Sequence, residues 1–438
     1  MTMKYQDALT YLEGLIRFGI KLDLDRFRML CERVGNPQDR FKSIHVGGTN
    51  GKGSTTTMAA SILRAADYKV GTYLSPYVHD VRERIQVNGA MIGKKDFAAI
   101  MESIIPHLEA VAATDAGQPT EFEAKTLMAF LHFAQRNVDF ACIEVGMGGR
   151  FDATNVLDPI VSVITNVSLD HTERLGDTVE KIAFEKAGII KPGRPVVTAA
   201  EGAAWRVIYH TACERKAPIV RVRETGERPC DERAQVVTWK SNRQGLLTVD
   251  TPKRVHERLR LGLPGAFQYA NAACAVAAIE FVQESGFPVA EEAFRRGLAD
   301  VRIPGRLEIL RRKPTLVIDG AHNPDAAKRL AEAIRTEFQY RRLILVVGML
   351  STHSAEDFLA QVGPLADHII ATAPAWPLAR PAQDLAREAA RFCPKVTEAM
   401  PVQAAVDAAL AEAGENDLVL VTGSFYTIGE VAAVNSEQ

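Results

Sequence analysis

The chain has 438 residues, of which 47% are hydrophobic and 24% are charged, and its formal net charge at pH 7 is −2. This length exceeds the size at which one hydrophobic core keeps growing, so the sequence predicts two domains of an ordinary globular protein. The balanced charge argues against a broad basic surface for nucleic acid or for an anionic membrane, so any bound anion must be met by a local site.

The first 21 residues predict an amphipathic helix, and neither a signal peptide nor a membrane span. Asp7 and Glu13 stand inside the apolar pattern, which contains no long uninterrupted apolar run. The cysteines are far apart and include no CxxC pair, which indicates reduced thiols in a cytoplasmic protein rather than disulfides or a zinc site. They are Cys31, Cys142, Cys213, Cys230, Cys274 and Cys393.

Residues 41–54, FKSIHVGGTNGKGS, predict a loop that binds phosphate. Residues 43–46 form a short buried strand, the glycines that follow form a turn, and residues 55–66 form a helix. Glycine lets backbone N–H groups approach an anion, and the N-terminus of the helix adds a partial positive charge at the same place. Lys52 supplies a full charge, and Ser54 can offer a hydroxyl to Mg²⁺.

This loop departs from the general P-loop pattern GxxxxGK[ST] at two positions. Val46 stands where that pattern has a glycine, and Gly53 stands where it has a hydroxyl residue. The residues therefore predict a phosphate-binding turn but not a generic NTPase. A glycine-rich turn without a ligand is the structural alternative.

Two further strands are predicted to end close to this loop. Residues 70–74 lead into Ser75, and residues 140–145, FACIEV, contain Glu144 near their end. In α/β nucleotide enzymes a metal ligand often stands at the end of a buried strand beside the phosphate site. The structural alternative for Glu144 is an exposed glutamate at a strand end.

Turn and helix signals separate these strands. Alternation on both sides of Asn88-Gly89 predicts a hairpin, and residues 93–111 and 122–136 predict helices. A strand is also predicted at 160–166.

A helix is predicted from near Asp177, with Asp177 or Thr178 as its cap, to a break after Lys186. His171 stands in the loop before it. Each of these residues is a weak signal alone, because a loop histidine is usually structural and a lysine at a helix end complements the dipole. Their order in one βα array nevertheless predicts a shared position at the carboxyl edge of a parallel sheet, together with Ser54, Ser75 and Glu144.

The rest of the sequence predicts a β-rich appendage, a linker and a second domain. Strand-like residues 219–261, with a turn at 242–245, form a small appendage of a first domain at 1–301, and an alanine-rich helix follows them. RIPGR at 302–306 predicts an interdomain linker. Residues 307–438 predict a doubly wound, Rossmann-like domain without a GxGxxG fingerprint. Its predicted strands are 315–318, 343–347, 368–372, 396–398 and 417–422, and its helices are 325–336, 355–362, 383–392, 402–413 and one after 422.

Separated blocks of this sequence resemble folylpolyglutamate synthases and dihydrofolate synthases of the Mur ligase superfamily. The resemblance covers nearly the whole chain apart from about 180–260 and implies an α/β fold, with a P-loop-containing Mur-ligase-type ATP-binding domain before a C-terminal Rossmann-like glutamate ligase domain. The blocks are GTNGKGS (48–54), YLSPYVHDVRERIQVNG (73–89), PTEFEAKTLMAFLHF (119–133), EVGMGGRFDATN (144–155), LDHTERLG (169–176), EKAGIIKPG (185–193), LPGAFQYANAACA (263–275), PGRLE (304–308), DGAHNPDAA (319–327) and TGSFYTIGEV (422–431).

The resemblance implies how ATP is bound. Asn271 would meet the adenine, Arg306 and Asp319 would contact the nucleotide from the second domain, and His322 would support the closed site. The phosphates would be held by Gly48, Thr49, Asn50, Gly51, Lys52, Gly53 and Ser54.

The resemblance also implies two Mg²⁺ sites. Ser75, Glu144 and Ser54 would serve one of them, and His171 would serve the second. Lys186 matches a lysine that CO₂ carbamylates in this superfamily. A carbamate would turn that cation into an anion able to bind Mg²⁺.

A pterin substrate is implied to lie against two segments of the first domain. They consist of Thr120, Glu121, Phe122 and Glu123, and of Phe151, Asp152 and Ala153. Two departures from the family bear on substrate preference: Tyr77 replaces the histidine of SPH, and Thr352-His353-Ser354 replaces an Asp-Lys-Asp triplet.

The reaction implied is ATP-dependent ligation of L-glutamate to dihydropteroate or to the γ-carboxyl of a reduced folate through an acyl phosphate. Lys52, Lys186 and His322 would be its catalytic residues, and we expect a monomer. A Mur-type cell-wall ligase is one alternative, although it would place a UDP-sugar-binding domain before the loop, where only 46 residues precede Gly47. A P-loop NTPase switch is another, but it gives no reason for DGAHNP or RIPGR.

Overall fold

The structure of the chain is a computed structural model that describes residues 3–16, 23–226 and 234–431. The end of the predicted N-terminal helix and Cys230 lie outside the described residues. Within them, the thiols of the other five cysteines are free, in agreement with the expected reduced state.

The chain divides into two compact units. Two short segments from the first part of the sequence, at 78–80 and 263–267, belong to the second unit. The first unit consists of Met1–Tyr77, Val81–Gly262 and Gln268–Val301, and the second consists of Val78–Asp80, Leu263–Phe267 and Arg302–Gln438.

The first unit is built on one eleven-stranded sheet. Its strands are β1 (Lys42–Gly47), β2 (Val70–Tyr73), β3 (Ile85–Val87), β4 (Ala90–Met91), β5 (Phe140–Glu144), β6 (Val161–Ile164), β7 (Val196–Thr198), β8 (Ile219–Glu224), β9 (Gln235–Ser241), β10 (Leu246–Asp250) and β11 (Val255–Arg260). They lie in the order β11-β10-β9-β8-β7-β6-β1-β5-β2-β3-β4.

The centre of this sheet is parallel. β1 lies between β5 and β6 and runs parallel to both, so that Val46 pairs with Glu144 on one side and with Val163 on the other. β2 is parallel to β5, and β7 is parallel to β6. The carboxyl ends of these strands therefore share one edge, as the sequence predicted, and the connections that leave them lie next to each other.

In the first unit, helices pack against the sheet and against one another. Buried faces of the first, second, fourth and fifth helices form a core with Phe97, Phe130 and Phe133. The helices are α1 (Tyr5–Leu15), α2 (Asp25–Arg33), α3 (Lys52–Ala65), α4 (Lys94–Ala112), α5 (Glu121–Gln135), α6 (Thr172–Leu175), α7 (Val179–Ala187), α8 (Gly202–Glu214), α9 (Phe267–Glu284) and α10 (Glu291–Ala299).

Three local predictions for the first unit need correction. Helix α3 begins at Lys52 and not at residue 55, because the glycine turn ends earlier than the pattern suggested. The strands within 219–261 are not a separate appendage, since β8 pairs with β7 and continues the large sheet. Helices α2, α6, α8 and α10 and strand β7 were missed; all of them except α8 have nine residues or fewer, which is too short a stretch to establish a period.

The second unit confirms the predicted doubly wound α/β domain. Its strands are β12 (Glu308–Arg312), β13 (Thr315–Ile318), β14 (Leu343–Val347), β15 (His368–Ala371), β16 (Val396–Glu398) and β17 (Leu418–Thr422), in the order β12-β13-β17-β14-β15-β16. All pairs are parallel except β12 with β13. The sequence missed β12, whose solvent-facing arginines hide its alternation.

Both faces of this second sheet are buried. Along β14, Leu343 and Leu345 face one core while Ile344 and Val346 face the other, which explains the uninterrupted apolar run in the sequence. The helices are α11 (Pro324–Glu337), α12 (Ala355–Val362), α13 (Ala382–Ala389), α14 (Val402–Glu412) and α15 (Phe425–Gly429).

We predict that Gly297→Val destabilises the first unit. A Cβ on Gly297 of α10 would lie 2.5 Å from Ile62 Cα and 2.7 Å from Ile62 N on α3, so the two helices would have to separate. Overpacking of this kind costs ~2 kcal/mol of unfolding free energy, which urea denaturation measures. Gly14→Ala in α1 is the control, because a Cβ there meets no neighbouring atom and alanine favours the helix. Equal stability of the two variants would contradict close packing at Gly297.

Candidate active site

The predicted phosphate loop connects β1 to α3 at the carboxyl edge of the first sheet. Gly48 has φ +139° and Gly51, the N-cap of α3, has φ +82°, which are conformations that favour glycine. A Cβ on Gly48 would collide with Thr165 Oγ1, and one on Gly51 would collide with Asn271 Oδ1. The loop can therefore keep its shape only with glycine at both positions.

The loop is held in place by the segment that follows β6. Asn50 N donates to Asn166 Oδ1 at 2.9 Å, and Asn166 Nδ2 donates back to Asn50 O at 3.0 Å. Thr165 Oγ1 also donates to Asn50 O, at 2.6 Å. Thr49 adds two bonds to the Ser168 backbone. The sequence did not single out Thr165 and Asn166, because the predicted strand at 160–166 included them; in the structure that strand ends at Ile164, and this polar pair follows it directly.

Two lysines lie against the backbone carbonyls of this loop. Lys52 Nζ donates to Thr49 O at 3.0 Å, and Lys186 Nζ, from the last turn of α7, donates to Gly48 O at 2.8 Å. The Lys186 side chain is buried, and burial lowers its pKa to about 7. Lys52 lowers this pKa further, while Asp170 and Asp152 oppose the shift. Lys186 is therefore a buried amine that readily becomes neutral.

Glu144 and Ser75 meet beside the first turn of α3. Glu144 is buried, and its Oε2 accepts a hydrogen bond from Ser75 N at 2.7 Å. A Cβ on Gly53 would lie 3.4 Å from the same oxygen, so the carboxylate sits directly against the phosphate-loop helix. This places oxygen donors of the kind that Mg²⁺ prefers next to the predicted phosphate site.

His171 is the N-cap of the short helix α6, and its backbone is in the left-handed region with φ +49°. Its Nε2 lies 4.0 Å from Asp170 Oδ2. Among residues 3–16, 23–226 and 234–431, no three His, Cys, Asp or Glu side chains converge on one metal position. The two Mg²⁺ sites therefore stay a prediction, as do their ligands.

Asn271 lies on α9 with its side chain against Gly51. Its Nδ2 donates to Gln268 Oε1 at 2.8 Å, and its backbone O accepts a hydrogen bond from Thr55 Oγ1 at 3.4 Å. The structure thus brings this residue to the phosphate loop. Its predicted contact with adenine stays a prediction.

The predicted pterin segment at the start of α5 contains a buried ion pair. Thr120 N and Oγ1 both donate to Glu123 Oε2, at 2.7 and 2.8 Å, which completes a capping box. Arg26 Nε from α2 donates to both Glu123 oxygens, at 2.9 and 3.0 Å. These bonds hold Glu123 in place within the fold, and its predicted substrate contact stays a prediction. Glu121 pairs instead with Lys125.

The second predicted pterin segment is organised by Asp152. Its buried carboxylate accepts hydrogen bonds from Met147 N at 2.9 Å and from Thr154 N at 3.0 Å. Burial raises its pKa, and these bonds oppose the shift. Ala153 is also buried, whereas Phe151 is 36% exposed with the Arg150 guanidinium 4.3 Å from its ring centroid. Phe122, from the first pterin segment, lies against Gly146, which stands in the loop before Phe151.

A buried histidine that the sequence did not single out supports Asp152. Thr154 Oγ1 donates to Asp152 Oδ1 at 2.5 Å and lies 2.8 Å from His45 Nε2. Since the hydroxyl proton goes to Asp152, His45 must donate through Nε2–H. Burial lowers the pKa of His45 to about 3, so its ring is neutral at physiological pH.

The remaining predicted residues cluster in the second unit. Asp319 accepts hydrogen bonds from Leu307 N and Ala321 N, each at 2.9 Å, and burial raises its pKa against the opposing charge of Arg306. The Arg306 guanidinium lies 4.7 Å from the Phe425 ring centroid. The His322 ring packs between Phe425 and His353, with centroid distances of 6.0 and 5.0 Å. His353 is one of the departures from the family pattern.

In the part of the chain that the structure describes, no helix combines the length and the apolar character that crossing a bilayer would need.

Comparison with protein families matches both units of the chain. Residues 46–279 match the Mur ligase middle domain, and residues 305–425 match the glutamate ligase domain of Mur ligases. Together the two matches cover most of the sequence.

Individual relatives align with this chain over nearly their whole length. The dihydrofolate synthase/folylpolyglutamate synthase of Bacillus subtilis (strain 168) is 37% identical, with 98% of this chain and 99% of that protein covered. The structure of Escherichia coli FolC in complex with DHPP and ADP is 32% identical, with a TM-score of 0.86 and 97% and 96% coverage. A Yersinia pestis bifunctional folylpolyglutamate synthase/dihydrofolate synthase complexed with AMPPNP and Mn ion is 31% identical, with a TM-score of 0.84 and 98% and 97% coverage.

We predict that Asn166→Ala weakens nucleotide binding. The substitution removes two hydrogen bonds to Asn50, each worth ~1 kcal/mol, so we expect the Kd for ATP, measured by calorimetry, to rise by roughly 30-fold. Asn242→Ala is a matched control, since Asn242 also organises a turn through its side chain but lies in the β9–β10 hairpin. An unchanged Kd in the Asn166 variant would show that the loop holds its shape without this residue.

Proposed function

The chain belongs to the dihydrofolate synthase/folylpolyglutamate synthase family of the Mur ligases, and from this we propose its acceptors, its intermediate and its site residues. The protein is an ATP-dependent ligase that joins L-glutamate to folates. We propose that it accepts dihydropteroate, the γ-carboxyl of reduced folates, or both. The observation that carries this function is the GTNGKGS loop, which meets Lys186, Glu144 and Ser75 at one sheet edge.

The proposed reaction has two steps. A carboxylate oxygen of the acceptor attacks the γ-phosphorus of ATP, the bond to the bridging oxygen breaks, and ADP leaves behind an acyl phosphate. The amine of L-glutamate then attacks the acyl carbon, loses a proton, and expels inorganic phosphate through a tetrahedral intermediate. Two anions must approach each other in the first step, so the site has to supply positive charge.

The phosphate loop supplies part of that charge. Its backbone N–H groups and the N-terminus of α3 would face the phosphates, and the Lys52 ammonium would move from Thr49 O to a phosphate oxygen. The bonds from Thr165 and Asn166 keep the loop in shape before ATP arrives, which lowers the entropic cost of binding.

A divalent metal fits the same edge. Glu144, Ser75 and Ser54 offer hard oxygen donors beside the loop, and Mg²⁺ needs few protein ligands because it keeps several waters. We propose these residues for one Mg²⁺ and His171 for a second. When bound, the metal would neutralise charge on the phosphate oxygens.

We propose that Lys186 carries a carbamate. Its neutral amine would attack the carbon of CO₂, and the amine proton would leave to solvent. The buried position supports this, because a lysine surrounded by protein is more easily deprotonated than an exposed one. The product would be an anion placed to act as a metal ligand next to Gly48.

The other predicted residues keep their proposed roles. Asn271 would contact adenine, Arg306 and Asp319 would contact the nucleotide, and His322 would support the closed site. The pterin site would be formed by Thr120, Glu121, Phe122, Glu123, Phe151, Asp152 and Ala153. We also propose residues 1–301 and 307–438 as functional domains joined at 302–306, and a monomer acting in the cytoplasm, where its free thiols stay reduced.

The assay that tests the function is ATP-dependent incorporation of labelled L-glutamate. Dihydropteroate, tetrahydrofolate and a UDP-muramoyl acceptor are offered separately. We expect a new amide with at least one pterin acid and none with the UDP-muramoyl compound. ATP binding without any amide formed from a pterin acid would contradict the proposal.

We predict that Lys186→Ala lowers kcat at least 100-fold while circular dichroism and thermal unfolding stay normal, because the variant loses the proposed anionic ligand. Incubation with ¹³C-bicarbonate should give a carbamate signal in the unmodified protein that this variant lacks. Lys181→Ala is the matched control, since Lys181 lies exposed on the same helix. Near-normal turnover would remove Lys186 from the mechanism.

We predict that Arg306→Ala lowers kcat/KM for ATP far more than it lowers stability. The guanidinium is the cation next to buried Asp319, and its packing on Phe425 can be lost at small cost to the fold. Steady-state kinetics and urea unfolding measure the two effects. Arg311→Ala, on the exposed edge strand β12, serves as the control. Unchanged kinetics would refute a role for Arg306 with the nucleotide.

A further inference from the structure

Arg84 carries buried nitrogen atoms without a hydrogen-bond acceptor. It ends a 3₁₀ turn, Val81–Arg84, directly before β3. Its Nε and Nη1 are shielded from solvent, and neither donates to any group among the described residues. Leaving buried donors unsatisfied is costly, so such groups often mark the place of a missing ligand.

A second buried cation lies close to Arg84. Lys125, on α5, has a side chain that is 4% exposed and forms an ion pair with Glu121. The Lys125 Nζ and the Arg84 Cζ each lie 5.6 Å from the ring centroid of Tyr77. Burial lowers the pKa of Lys125 to about 8, and the charge of Arg84 lowers it too, whereas Glu121 opposes this. Lys125 thus remains mostly protonated near pH 7.

Only one of the two cations beside Tyr77 has an ion-pair partner. Lys125 is paired with Glu121, whereas the described residues provide no salt bridge for Arg84. A guanidinium with two unsatisfied buried donors beside an aromatic ring suits an anion such as a carboxylate, whose oxygens accept charge-assisted hydrogen bonds.

This cluster lies beside the segments proposed for the acceptor. Tyr77 is two residues after Ser75, and Lys125 shares α5 with Thr120 and Phe122. The ring of buried Tyr73 lies 6.2 Å from that of Phe122, and the charges of Arg84 and Asp152 both act on the pKa of its hydroxyl. The phosphates of ATP have their own loop after β1, so a carboxylate is the remaining anion to consider.

We propose that Arg84 and Lys125 form a subsite for the α-carboxylate of a folate's terminal glutamate. This inference rests on the proposed function. A folate carries two carboxylates on that glutamate: the γ-carboxyl reacts, and the α-carboxylate needs a cationic partner. Dihydropteroate has a single carboxylate, which is the reacting group. The subsite therefore separates the two acceptors, and Tyr77 forms its apolar wall.

The test compares the two acceptors in Lys125→Met and Arg84→Gln variants. KM is measured for tetrahydrofolate, for dihydropteroate and for L-glutamate. We expect the KM for tetrahydrofolate to rise at least tenfold, while the other two change less than twofold. Lys95→Met, at an exposed position on α4, is the control and should change none of them. Arg84→Lys should restore part of the tetrahydrofolate affinity by returning the charge.

Several outcomes would overturn the subsite. One is an equal rise of KM for both acceptors in the variants. Another is a rise of KM confined to L-glutamate, because the donor substrate also has an α-carboxylate. A third is an unmodified enzyme that uses dihydropteroate but no folate. A failure of the unmodified enzyme with every pterin acid would instead refute the proposed function.

A binding measurement on the unmodified protein tests the subsite even if the variants fold poorly. Calorimetry on the unmodified protein should give p-aminobenzoyl-L-glutamate at least tenfold tighter binding than p-aminobenzoate, because only the former carries an α-carboxylate. Lys125→Arg keeps the charge and should keep this difference, whereas Lys125→Met should lose it. Equal affinities for both compounds in the unmodified protein would contradict the proposal.

Discussion

The candidate site depends on the mutual hydrogen bonding between two loops at the carboxyl edge of one parallel sheet. Asn50 of the glycine-rich loop exchanges two bonds with Asn166 and accepts a third from Thr165. These loops follow β1 and β6, which are adjacent in the sheet. Because these bonds join side chains of the second loop to the backbone of the first, the N–H groups that would face phosphate are fixed before a ligand binds. Such preorganisation is what an anion site requires, since the protein then spends little energy on ordering the loop.

Two buried charges of opposite sign stand beside the phosphate loop at this edge of the sheet. Lys186 and Glu144 are both buried beside the loop, and each has a specific partner, Gly48 O for the lysine and Ser75 N for the carboxylate. Burying either charge would be costly without such partners. Two nitrogen atoms of Arg84 have no hydrogen-bond partner among the described residues, and this is the observation behind the carboxylate subsite proposed there. By contrast, Glu123 has partners within the fold, since its carboxylate accepts hydrogen bonds from Arg26 and Thr120.

The sequence predicted the long periodic elements well. The strands at 315–318, 343–347 and 396–398 and the helix at 355–362 occur at the predicted residues, because both faces of the second sheet are buried and the turns between its elements are short. The prediction failed where the hydrophobic pattern of a strand does not reveal its place in the sheet. β12 carries charged residues on an edge, and β8 looked like part of an appendage because its basic composition hides its pairing with β7.

For the site, the sequence by itself determined which chemistry-bearing residues follow which strand: the glycines, Lys52, Ser75 and Glu144 stand after or at the end of predicted strands, whereas Lys186, at a helix end, was a weak signal that only its order in the chain strengthened. Only the tertiary structure decided which of them meet, because pairing of β1 with both β5 and β6 brings together residues about a hundred positions apart. It also revealed the partners that no pattern marks, such as Asn166, His45 and Arg84. Their roles depend on neighbours supplied by distant segments, and local periodicity carries no information about those neighbours.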